Sequence, residues 1–113
     1  MLRFIFFLGV MSALSAEVST RELQFENEKV KVWKTKIPPS KALKMHRHDR
    51  DRVVVGLHGG KLVKVEETGE VSELSFATHK AYWLEKDPID MLHADLNEGE
   101  KTIEVMVIEL KDS

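Results

Sequence analysis

Residues 46–60 read HRHDRDRVVVGLHGG, and the order of residue types here carries most of what the chain reveals about its fold. His46 and His48 flank Arg47 at an i, i+2 spacing, which on a β-strand turns both imidazoles to one face and Arg47 to the other. Two imidazoles so placed form a bidentate grip for a metal ion. Arg52 to Leu57 contains Val53, Val54 and Val55, a β-branched run suited to a strand. His58, Gly59 and Gly60 then read as a hairpin turn into a further strand over Lys61 to Val65. Working outward, the pattern predicts strands at Lys29 to Ile37, Glu73 to Phe76, Ala81 to Leu84, Met91 to Asp95 and Ile103 to Leu110. Thr68 and Gly69 form one intervening turn, and Lys86, Asp87 and Pro88 another. A dozen-residue window with a clean helical stripe beside a cap does not occur. Such a succession of short strands buries its apolar sides in a sandwich or closed barrel, so the expected fold is all-β and single-domain.

Composition narrows the function. At 113 residues the chain has room for one domain. Seventeen basic and nineteen acidic residues give a net charge of -2, with neither sign gathered into a block that could follow a phosphate backbone, so nucleic acid is not an expected partner. The absence of cysteine excludes a disulfide framework, a zinc ribbon and a thiol nucleophile. Arg3, the apolar run Phe4 to Met11 and the small-residue stretch Ser12 to Ala16 match a secretory signal peptide. Residues 1–16 are therefore expected to be removed near Ser15 or Ala16, leaving residues 17–113 as an exported domain in the periplasm or outside the cell. The apolar run is about half the roughly 20 residues that span a bilayer, which argues against a lasting membrane anchor.

A third metal ligand has to come from a strand remote in sequence, and His93 lies on one. Residues 82–97 read YWLEKDPIDMLHADLN. The two stretches together resemble the paired motifs of the cupin superfamily. In the first motif His46 and His48 supply the HxH, the glutamate position falls on Arg52, the closing glycine on Gly59, and the opening glycine position on Ser40. In the second, Pro88, His93 and Asn97 fall in register, while Tyr82 and Asp90 replace two glycines. The resemblance implies a double-stranded β-helix, the jelly-roll barrel of the cupins. It also implies that His46, His48 and His93 bind a divalent ion of iron, manganese, nickel, copper or zinc inside the barrel, and that the chain pairs into a homodimer.

Arg52 is the largest departure, because a permanent cation stands where the family has its fourth, carboxylate ligand. Facing inward, Arg52 beside a dication needs an anion: Asp49 or Asp51 swung in through a bulge, or a small anionic molecule gripped by the planar guanidinium. Facing outward, it pairs with surface acids. Gly56 shares the inward face of Arg52 and is expected to leave space above the metal, or to mark a bulge. Tyr82 is expected to reach the ligand pocket with its phenol, or to pack in the core with Trp33, Met91 and Met106. His58 and His79 stand at turns and read as solvated. Lys41, Lys44, Arg47 and Arg50 form either a positive rim at the pocket mouth or a solvated charged loop. Three functions fit these residues: a metal-dependent enzyme of oxygenase or isomerase type acting on a small acid, a non-catalytic small-molecule binder, or a structural barrel without metal. The sequence identifies no catalytic residue, because no general base can be named near the ligands.

Overall fold

Why these residues make two curved sheets follows from their alternation. The computed structural model describes residues 17–89 and 91–111; the expected signal peptide, 1–16, lies outside them. Nine strands run in chain order: β1 (Thr20–Glu26), β2 (Val30–Ile37), β3 (Ala42–His46), β4 (Arg52–His58), β5 (Gly60–Glu66), β6 (Val71–Phe76), β7 (Ala81–Leu84), β8 (His93–Asn97) and β9 (Ile103–Leu110). They form a five-stranded sheet, β1-β2-β9-β4-β7, facing a four-stranded one, β3-β8-β5-β6. The named strands all pair antiparallel, the arrangement of a double-stranded β-helix.

Inward positions fall at every second residue of β4, β8 and β9. On β4 they are Arg52, Val54 and Gly56; on β9, Ile103, Val105 and Val107; on β8, His93, Asp95 and Asn97. Ile37, Val54, Leu62, Phe76, Ile103, Val105 and Val107 close the apolar core between the sheets. Each fully buried aliphatic side chain contributes about 1.5–3 kcal/mol, so this cluster supplies much of the drive for closure. Trp33, expected in the core, packs against it half-buried: its indole Nε1 donates to Glu109 (3.0 Å) and Arg21 and Lys31 lie over its ring. Met91 and Met106 are half-buried as well, while His58 and His79 are exposed.

Two backbone devices frame the barrel mouth. Asn97 is fully buried, and its Nδ2 donates to the carbonyls of Ile37 and Lys101, both at 2.8 Å, while its Oδ1 accepts from Gly99 N. Its main chain pairs with Ser40 and Lys41, tying the end of β8 to the entry of β3. Ser40 holds a left-handed φ of 62° where the family motif has its opening glycine, a conformation costing a non-glycine residue roughly 1–2 kcal/mol. Gly56 meets the second of its two expectations, since the β4–β9 register shifts between Gly56 and His58. A Cβ on Gly56 would lie 2.2 Å from the Ala77 carbonyl oxygen, and Gly56 exchanges main-chain hydrogen bonds with Lys80 and His79. The glycine seats the 77–80 turn against β4.

Candidate metal centre

Three elements meet at the centre. β3 ends on His46, a register shift follows Leu43, and His48 lies beyond the strand in the loop to β4. The two imidazoles therefore meet through a loop rather than through the strand alternation expected from their spacing. Asp87 holds that loop: its Oδ2 accepts from His48 N (2.7 Å), and its own main-chain N donates to His48 O (2.7 Å). Arg47, expected on a positive rim or in a solvated loop, instead donates to the carbonyls of Pro88 (2.8 Å) and Asp87 (3.2 Å). β8 brings His93 directly opposite His46.

The rings of His46, His48 and His93 stand 4.5 to 5.5 Å apart by centroid. Asp95, two residues after His93 and so on the same face, completes the group. One ligand atom from each of His46, His48, His93 and Asp95 lies within 4.8 Å of every other, a group that can hold a metal ion. His46 Nε2 is 3.1 Å from His48 Nε2 and 3.4 Å from Asp95 Oδ2, and His93 Nε2 is 3.6 Å from the same oxygen. Ligands about 2.1 Å from a common ion stand about 3.0–3.4 Å apart, so these separations fit one metal after small movements.

The donor chemistry fits as well. His46 Nδ1 faces the Lys44 carbonyl at 2.6 Å and His93 Nδ1 faces Asp87 Oδ2 at 3.5 Å, contacts that favour a proton on Nδ1 and leave each Nε2 lone pair facing inward. Two such lone pairs directed at a carboxylate repel unless a cation, a metal ion or a proton, stands among them. Asp95 Oδ1 is buried without a hydrogen-bond partner among the described residues, and an ion would satisfy it. Burial and the neighbouring Arg52 guanidinium lower the pKa of His48 to about 3, so its ring is neutral and ready to ligate at physiological pH. Burial opposes charge on His46, but Asp95 and the Lys44 carbonyl outweigh it and its pKa is raised. Burial works against the Asp95 carboxylate too, yet His46 and His93, which donate to it when a proton rather than an ion stands between them, outweigh it and keep its pKa below the ordinary value.

Arg52 is 6% exposed and faces inward. One Nη donates to the Glu85 carbonyl (3.1 Å), and no carboxylate oxygen lies within 4.0 Å of the guanidinium among the described residues. Burial, partly offset by Asp87 and Asp95, lowers its pKa. Neither Asp49 nor Asp51 swings in: Asp49 is exposed, and Asp51 accepts from Lys86 N (2.9 Å). The carboxylate came instead from the opposite strand, as Asp95. Arg52 lines a cavity of about 60 Å³ together with His48, Asp95, Val54 and Phe76. Gly56 and Tyr82 are not among its lining residues. The Tyr82 hydroxyl accepts from Ala77 N (2.8 Å) and its ring packs edge-on to Phe76, so this phenol braces a turn rather than reaching the pocket. Sequence reasoning missed Asp95 and Asp87. The His93-x-Asp95 spacing carried a usable signal for the first, and nothing local marked the second.

No protein-family model and no curated protein sequence matches the chain. Solved structures do. A cupin domain from Bordetella pertussis is similar at 25% identity with a TM-score of 0.74, covering 84% of this chain and 95% of that one. An RmlC-like cupin family protein with a double-stranded β-helix fold from Methanocaldococcus jannaschii follows at 13% identity and TM-score 0.63, covering 84% and 82%. A polyketide cyclase from Streptomyces resistomycificus is similar at 13% identity and TM-score 0.60, covering 85% of this chain and 67% of that one. Taken with the two antiparallel sheets and the paired motifs, these likenesses show a small, single domain with the cupin fold, the double-stranded β-helix.

Proposed function

We propose that the protein binds one divalent metal ion through His46, His48, His93 and Asp95, and receives a small anionic ligand at Arg52. The observation that carries this reading is the approach of three imidazoles and one carboxylate, from the end of β3, the loop after it and the distant β8, to within 4.8 Å of one another. A dication with three neutral imidazoles and one carboxylate keeps a net positive charge, and Arg52 adds another. An anion touching both would offset that charge. A bound ion would supply Lewis acidity or a redox centre, while Arg52 would hold the ligand's charge and the apolar walls would exclude water. Reaction type stays at the level of metal-dependent oxygenase or isomerase chemistry, with non-catalytic capture of the same ligand as the second reading. The sequence of residues 1–16 supports export, and pairing into a homodimer rests on family resemblance.

Metal analysis of protein purified without a histidine tag tests the reading. Close to one equivalent of iron, manganese, nickel, copper or zinc is expected, lost in His46→Ala and His93→Ala. Folded protein that stays empty and keeps its melting temperature when these metals are added overturns it.

A further inference from the structure

Leu62, Lys64 and Glu66 are inward positions of β5, because Leu62 is buried in the core and side chains alternate along a strand. The β5–β8 register sets Lys64 opposite Asp95 and Glu66 opposite His93, so both charged side chains share a face with the metal group. Lys64 lines the cavity that Arg52, His48 and Asp95 also line. Turning a lysine into a barrel costs free energy, and packing alone would be served better by a leucine or methionine. The Lys64 side chain is 24% exposed and that of Glu66 18%, yet Nζ and Oε1 approach only to 3.9 Å, beyond hydrogen-bond distance. No other carboxylate oxygen lies within 4.0 Å of Lys64 Nζ among the described residues, which leaves the donors of the ammonium for an occupant of the cavity.

Arg52 and Lys64 come from opposite walls. Arg52 stands on β4 of the five-stranded sheet and Lys64 on β5 of the four-stranded one. Facing sheets lie about 10 Å apart, a gap that two long inward side chains share with one small molecule between them. Arg21 lines the cavity too, but it is exposed and its guanidinium lies 4.3 Å over the Trp33 ring. The two inward cations select different groups. The Arg52 fork matches a carboxylate in bidentate fashion, whereas an ammonium is a compact donor suited to a single oxygen. We infer that Lys64 is a second ligand-contacting residue and that the ligand is a small acid with a further oxygen, hydroxyl or carbonyl, on the carbon beside its carboxylate. Arg52 takes the carboxylate, and Lys64 donates to the second oxygen from the facing wall. This inference rests on the metal–Arg52 site proposed above and names the ligand class that site selects.

Calorimetric titration of the zinc-loaded full chain with butyrate, 2-hydroxybutyrate and 2-oxobutyrate tests it, with metal content measured in the same samples. Wild-type protein is expected to bind the two oxygenated acids at least about tenfold more tightly than butyrate, the effect of one hydrogen bond to a charged group. Lys64→Met is expected to remove most of that advantage while changing butyrate affinity less than about threefold, and Arg52→Met to weaken all three acids. An advantage that survives intact in Lys64→Met overturns the inference, because the metal alone then holds the second oxygen. Equal binding of butyrate and 2-hydroxybutyrate by wild-type protein overturns it as well, and that comparison needs no variant to fold. Metal content separates the two claims: protein that takes up no metal overturns the parent reading, and metal-loaded protein that binds all three acids alike overturns this one alone.

Discussion

β8 delivers His93, Asp95 and Asn97 to the barrel interior by unbroken alternation, whereas the segment from β3 to β4 delivers His46, His48 and Arg52 across a register shift and a loop. Strand geometry alone fixes the first set. The second depends on Asp87, which accepts from His48 N, and on Arg47 of the loop itself, which donates to the Asp87 and Pro88 carbonyls. The difference teaches where a charge can move in such a centre. A carboxylate fits as well on β8 as on β4, because both strands line the same cavity, and once Asp95 occupies β8 the facing position on β4 can carry a cation for a ligand.

Five experiments break or sharpen that contrast. The largest effect is expected on β8 itself, where Asp95→Asn removes the carboxylate from the metal group. Affinity for zinc, measured by competition with a chelator, is expected to fall more than about 100-fold, the upper range for loss of outer-shell partners. Wild-type protein at 100 times its dissociation constant gains about 2.7 kcal/mol, on the order of ten degrees in melting temperature, and the variant should lose that rise. Next comes Asn97→Ala, which leaves the carbonyls of Ile37 and Lys101 and the Gly99 N–H without partners. Urea unfolding should report a loss of about 3 kcal/mol. Arg52→Met, its counterpart on the loop side, should stay within about 1 kcal/mol of wild type or gain, since it removes a buried cation with no ion pair.

A smaller effect tests the exchange of sides. Adding Arg52→Glu to Asp95→Asn should recover about tenfold of the lost zinc affinity by returning a carboxylate to the cavity through β4. No recovery would mean that the β4 position sits too far from the histidines to serve. The smallest effect is in pH. His48 is depressed to about 3 from 6.5, so it costs stability as pH falls below 6.5, and Asp95, also depressed, adds to that loss below 3.8. His46 is raised above 6.5, so its contribution is present below 6.5 and is lost as pH rises through its folded value. Metal-free protein should therefore show its highest urea midpoint near pH 6.5, while the stabilisation by added zinc grows as pH rises and the competing protons leave.

The residues that were legible in the sequence are those whose placement depends on local spacing. His46, His48, Gly59, Pro88, His93 and Asn97 stand at the intervals of two short motifs, and the alternation of Arg52, Val54 and Gly56 put them on one face. Asp95 shares that kind of signal, two residues from His93, but the motif intervals place a carboxylate at position 52 and none at position 95. Tyr82 stayed open between pocket and core, because a phenol that braces Ala77 and one that reaches a cavity have the same local sequence; the structure packs it against the core. Asp87 was unreadable, since its bond to His48 spans 39 residues.

By itself, then, the chain's pattern of polar and apolar side chains determined an all-β barrel and named three histidines, because strand period and short motif intervals are local properties of a polypeptide. Only the tertiary structure decided which carboxylate joins them, that Arg52 turns inward without an acidic partner, and that Gly56 and Tyr82 serve the backbone. These depend on which strands face one another across the barrel, and that facing is set by closure of the two sheets around a shared core, which no local interval encodes.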